Sequence, residues 1–174
     1  MAAFPRAKLP TLALLALAVL LTAASARASV VLLTMDDLVQ HSQEVVRVEV
    51  LDTSSAWGEW INGGEVIYTT ARVRVTEAFF GAPPAEMEVT LIGGTIDGKT
   101  MYASGCPSLT VGEDAVLFLL PYDGKTWVTG LDNGKYTVEG EMAVNSGHQT
   151  ARRVALATLR REIRDAVQRL GSDR

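Results

Sequence analysis

Cys106 is the only cysteine among 174 residues, so it is the one side chain able to do covalent or redox chemistry, and Gly105 and Pro107 set it in a loop. A reactive thiolate needs a helix N-terminus, a cation or a histidine nearby to depress its pKa. The local sequence supplies none. Free cysteine is also among the most buried residue types, so an inert thiol is the expectation. A thiol-dependent redox protein or enzyme built on Cys106 is the rival reading. His41 and His148 are the only histidines, and a zinc site would have to join both to Cys106 or to carboxylates from distant segments. None of the close ligand spacings occurs, the five methionines are scattered, and no Gly-x-Ser-x-Gly elbow is present. The sequence therefore names no catalytic residue, no metal ligand and no cofactor, and leans away from an enzyme.

Two other groups of residues have recognition chemistry. Trp57 and Trp60 flank the first hairpin turn, where indoles can stack on a sugar or a peptide. The alternative is ordinary cross-strand packing against Ile67 and Tyr68. The second group is basic: residues 151–174 hold seven arginines against Glu162, Asp165 and Asp173. Arg152 and Arg153 are expected in the first turn of a helix, where a cation opposes the dipole. Contact with an acidic body would compensate, as would an anionic membrane surface met through this helix. Asp165 and Arg169 form a favourable i, i+4 pair.

The body is indeed acidic, with six basic residues against seventeen acids over residues 29–150. The whole chain carries a formal charge of −4, which becomes −7 once Arg6, Lys8 and Arg27 are removed with a leader. Such a balance argues against nucleic acid as a partner. A leader is expected because Arg6 and Lys8 precede an uncharged apolar run from Thr11 to Leu21. Small-x-small cleavage sites then end at Ala28 and, as the alternative, at Ala26. The run is too short for the roughly 20 apolar residues of a membrane span, an uncleaved anchor being the other reading, and no cysteine near the site offers a lipid attachment. The protein is thus expected to be exported, to periplasm or medium, and to work as a monomer. Without a second cysteine it must be stabilised by burial, which about 146 residues in one domain can supply.

Hydropathy patterning gives the elements. Thr34-Met35-Asp36-Asp37 is a capping-box start for a helix reaching about Ser42. Glu44 to Thr53 alternates with Val46, Val48 and Val50 on one face. After the turn signal Asn62-Gly63-Gly64, Glu65 to Phe79 alternates again with Ile67, Thr69, Ala71, Val73 and Val75, making a long hairpin. Met87, Val89 and Leu91 mark a third strand ended by Gly93-Gly94, and Asp97-Gly98 turns a minor hairpin from Thr95 to Tyr102. Ala115 to Leu120 is apolar on both faces, as in a strand buried centrally. Strands over Thr126 to Leu131 and Tyr136 to Met142 follow, separated by Asp132-Asn133-Gly134. From Thr150 the period is helical, with Leu156, Leu159, Ile163, Val167 and Leu170 on one face and Gly171 as cap.

In this order the segments Asp36-Asp37-Leu38-Val39, Val45-Val46-Arg47-Val48, Trp57, Ile67-Tyr68-Thr69, Val73-Arg74-Val75, Phe80-Gly81, Gly93-Gly94, Gly105-Cys106-Pro107, Val111-Gly112-Glu113 and Val116-Leu117-Phe118-Leu119 resemble an uncharacterised exported bacterial family. That family is itself similar to the netrin-like barrel of tissue inhibitors of metalloproteinases. The resemblance spans about Leu33 to Val138 and implies an oligonucleotide/oligosaccharide-binding (OB) fold. Inhibition in the animal relatives uses an N-terminal cysteine to chelate the catalytic zinc. A mature end at Ser29 or Arg27 lacks that group, so the resemblance implies the fold without that mechanism.

The sequence therefore predicts a mainly β protein. Residues 1–28 are a signal peptide, 29–146 a small antiparallel Greek-key (OB-like) β-barrel behind a short N-terminal helix, and 147–174 an amphipathic α-helix packed on it. The expected function is a noncatalytic binding module whose ligand, an unknown protein or carbohydrate of the envelope or extracellular space, meets the loops at Trp57 and Trp60.

Overall fold

Thr34 does what its spacing from Asp37 requires: its hydroxyl accepts from the Asp37 N–H at 3.1 Å while the Asp37 carboxylate accepts from the Thr34 N–H at 2.9 Å. The reciprocal pair starts α1 (Met35–Gln40) and holds the Asp37 carboxyl below its usual range, through the side-chain hydrogen bond from Thr34 first. The computed structural model describes residues 33–60, 63–147 and 151–172. The expected leader, with the cleavage sites proposed at Ala26 and Ala28, and His148 lie outside the described residues.

Two long strands, β1 (Glu44–Glu59) and β2 (Glu65–Phe80), form the expected hairpin, and β3 (Glu86–Ile92) pairs antiparallel with β2. A minor hairpin follows, β4 (Gly94–Ile96) and β5 (Lys99–Met101), turned at Asp97 and Gly98 with φ of 50° and 74°. Positive φ at both central residues is what the Asp-Gly dipeptide tolerates best. Next come β6 (Asp114–Tyr122) and β7 (Lys125–Val128), turned the same way at Asp123-Gly124. Around the barrel the order is β1-β2-β3-β7-β6, and β6 returns to β1. Five strands cannot close antiparallel throughout, because alternation round a ring needs an even number. One pair must run parallel, and it is β3 with β7, through Thr90 and Trp127. The sheet, expected to be mostly antiparallel, carries this one parallel pairing.

The corrections to the expected elements concern the C-terminal third. The single strand expected over Tyr136 to Met142 is two, β8 (Lys135–Glu139) and β9 (Met142–Asn145), because Gly140 turns the chain with φ of 62°. The preceding strand stops at Val128, and Leu131–Gly134 forms a 3-10 turn. Arg152 and Arg153 are not helical but lie in β10 (Arg152–Ala155), paired with β9, and α2 (Leu156–Ser172) begins only after them. A strand removes the conflict with the helix dipole and lets Arg153 reach Glu139 at 2.9 Å and Arg152 reach Glu162 at 2.6 Å. Gly171 lies within α2 rather than beyond it.

The core has two layers separated by β6. Ala115, Leu117 and Leu119 face the barrel interior with Val46, Val48, Val50, Ala71, Val73 and Val89. Val116 and Phe118 face outward beneath Leu38 and Val39 of α1 and Leu156, Leu159, Ile163 and Ala166 of α2. This double burial is why β6 is apolar without alternation. Burying each of the valine, leucine, isoleucine and phenylalanine side chains contributes about 1.5–3 kcal/mol. Ion pairs fasten the outer layer, Arg160 to Glu77 and Arg169 to Asp36, both at 2.6 Å, so Arg169 turns to the acidic body as well as lying one turn from Asp165.

Candidate functional site

Along the inner face of the β1–β2 hairpin, side-chain chemistry changes abruptly. Val46, Val48 and Val50 lie opposite Ala78, Val75 and Val73. A bulge falls between Val50 and Asp52, after which Thr53, Ser55 and Trp57 lie opposite Ala71, Thr69 and Ile67. The extra residue switches the inward positions from even to odd numbers. The ladder between β1 and β6 ends close by, at Glu49 with Asp114. Val50 still engages the loop before β6, donating to Glu113 O at 2.9 Å and accepting from the Gly112 N–H at 2.8 Å. Past it the barrel wall opens.

The β4–β5 hairpin folds across this opening. A Cβ on Gly94 would stand 2.3 Å from Thr69 Oγ1 and 2.6 Å from Ser55 Oγ, so only glycine allows the approach. Thr69 donates its one hydroxyl proton to Gly93 O at 2.7 Å, so in its 2.9 Å contact with Ser55 it must accept. The direction of the chain is thereby fixed, Ser55 to Thr69 to Gly93. Ser55 Oγ is left with lone pairs and no proton to give, and the opening therefore presents an acceptor. Thr95 and Thr100 pair at 2.8 Å on the hairpin above. Together these hydroxyls and the Tyr102–Leu109 segment enclose a groove of about 440 Å³, within the range of ligand sites. No charged side chain lines it, in a chain that carries 36 charged residues of Asp, Glu, Lys and Arg.

Trp57 stands on the same face two residues beyond Ser55 and is 45 % exposed, whereas Ile67 opposite is fully buried. Lys99 Nζ lies 5.9 Å from its ring centroid. Trp60 is half-buried and serves the turn: its N–H donates to Gly64 O at 2.7 Å and its carbonyl accepts from Gly63 N–H at 2.8 Å. The two tryptophans are therefore unlike, one a rim residue and one a turn residue. Tyr68, Trp57's other expected neighbour, lies on the opposite face, edge-on to Trp127 with centroids 6.0 Å apart and with Lys125 Nζ 4.6 Å over its ring.

Sequence reasoning missed Tyr102. It is 91 % exposed and lines both the hydroxyl groove and a second one of about 540 Å³ across the Ala103–Ser108 ridge. The available signal was an aromatic residue between a tight hairpin and the irregular run Ala103-Ser104-Gly105, with no alternating apolar partner to pack on.

Cys106 is part of that ridge and half-buried. Burial pushes its thiol up, and the charge of Asp132 adds to the effect. The second groove borders a half-buried network: Glu113 meets Lys135 Nζ at 2.6 Å, accepts from Thr137 Oγ1 at 2.7 Å and from Thr110 N–H at 3.0 Å, and Lys135 also donates to Ser108 O. These bonds fix the loop before β6. His41 is exposed at the end of α1, its Nδ1 2.7 Å from Asp37 O. Among the described residues no three His, Cys, Asp or Glu side chains are grouped to hold a metal ion. No described helix is long and apolar enough to cross a membrane. Of the C-terminal arginines, Arg152, Arg153, Arg160 and Arg169 are engaged by carboxylates, while Arg161 and Arg164 are exposed.

Compared with known proteins, the chain matches no family model and no curated protein.

Proposed function

We propose that this protein is an exported, noncatalytic binding module that receives its ligand at the open end of the barrel. The observation carrying the reading is the uncharged, hydroxyl-lined groove where the wall parts, with Tyr102 exposed in its lining and Trp57 exposed two residues beyond Ser55 on the same strand face. Exposed aromatic rings flanking a polar concavity supply contact area at low entropic cost. The leader-like first 28 residues support export. The strand order, together with the resemblance at Leu33 to Val138, supports kinship with netrin-like barrels. The Cys106 thiol, raised rather than depressed, favours binding over thiol chemistry.

The test is capture of envelope material on the immobilised protein, compared with a Trp57→Ala/Tyr102→Ala variant. The variant is expected to melt within a few degrees of the wild type and to lose the captured material. Equal capture by both proteins would overturn the assignment of the site, and an unfolded variant would show the two rings to be structural.

A further inference from the structure

We infer that the ligand of this groove is an extended peptide that adds a strand to the open edge of β1. The inference rests on the binding reading above and names the ligand class. Its observation is different: the backbone edge rather than the aromatic rim.

β1 has two edges. One is laddered to β2 along its length, from Val45 to Glu59. The other is laddered to β6 only from Glu44 to Glu49 and closed at Val50 by Gly112 and Glu113. Beyond that point no strand among the described residues pairs with it. Thr53 N–H turns to the adjacent Asp52 carboxylate at 2.8 Å. By strand alternation the N–H and C=O groups of Ser55 and Trp57 come next on this edge.

A bare edge offers donors and acceptors in the fixed alternation that another main chain complements. The groove beside it has the matching properties. It carries no charge to be desolvated, and Ser55 Oγ accepts but cannot donate, as a ligand N–H would require. Carboxylates stand at the ends of the edge instead, Asp52 at one and the facing pair Glu59 and Glu65 at the other, all exposed. A peptide with small uncharged residues in its middle and cations at its ends fits this arrangement. A second copy of the same edge does not, because antiparallel pairing would bring Asp52 toward Glu59.

The probe is a seven-residue peptide of alternating threonine and valine with a lysine at each end and both termini blocked. Amide exchange of the full chain is followed by NMR. In the free protein the Ser55 and Trp57 N–H groups should exchange faster than those of Ser54 and Ala56. The peptide should slow the first pair about tenfold or more. Methylating the peptide nitrogens of one edge should weaken binding about tenfold, and methylating those of the other edge should leave it unchanged. Ser55→Pro, tolerated on an outward edge, should weaken it likewise. Equal effects from both methylated peptides, or no slowing at Ser55 and Trp57, overturns the strand-addition proposal. Binding of a neutral hexasaccharide in place of the peptide overturns the ligand class. Capture dependent on Trp57 and Tyr102 would survive either result, so failure of the peptide is distinguishable from failure of the module.

Discussion

Val46, Val48 and Val50 share a strand and a face with Thr53, Ser55 and Trp57, yet the first three are sealed from water and the last is nearly half exposed. What separates them is closure. The valines lie where β6 completes the wall; the hydroxyls lie where β6 has ended and β4–β5 crosses instead. Valine and threonine have almost the same shape, so the difference is one of hydrogen-bonding capacity, assigned to the half of the hairpin where partners exist. A strand can thus serve as core and as site in succession, with one bulge to re-aim its side chains.

The sharpest way to break this division is Gly94→Ala. The added methyl has to displace Ser55 and Thr69 at a backbone φ of 134°, and about 2–3 kcal/mol of stability should be lost in denaturant unfolding. Val48→Thr puts a hydroxyl where nothing can bond it and should cost about 1–3 kcal/mol with little change of shape. The reciprocal Thr53→Val should change stability by less than about 0.5 kcal/mol, because that half tolerates either residue. Were the two reciprocal swaps to cost the same, the halves would not differ as described. The smallest signal is kinetic. With its pKa raised, Cys106 should react with iodoacetamide at pH 7 more slowly than free cysteine. The rate should climb as pH rises past the ordinary thiol range, since only the thiolate attacks. Labelling as fast as an exposed thiol would reopen the redox reading.

The sequence disclosed the architecture better than the site, for physical reasons. Valine alternation marks β1 and β2, Asp-Gly dipeptides mark the two tight hairpins, and an unbroken apolar run marks β6, since these signals are local. The strand nature of Arg152 to Ala155 was hidden because Val154 fits both a helical and a strand period, and its partner β9 lies almost wholly beyond the strand expected to end at Met142. The site was hidden by parity. A reader following even positions down β1 stops at Thr53, because the bulge moves the inward face to odd ones. Ser55 then looks like an ordinary surface residue, and Thr69, placed by alternation on the apolar face with Ile67 and Ala71, has no evident partner for its hydroxyl. Trp57 is conspicuous by size, and Tyr102 gains meaning only from the ridge that folds beside it.

The two-layer core also dictates the order in which the molecule can be finished. Val45, Val116 and Phe118 share their layer with Leu156, Leu159, Ile163 and Ala166 of α2, and α2 follows every described strand along the chain. A nascent chain held short of Leu156 therefore keeps an oily flank uncovered and cannot complete its outer layer.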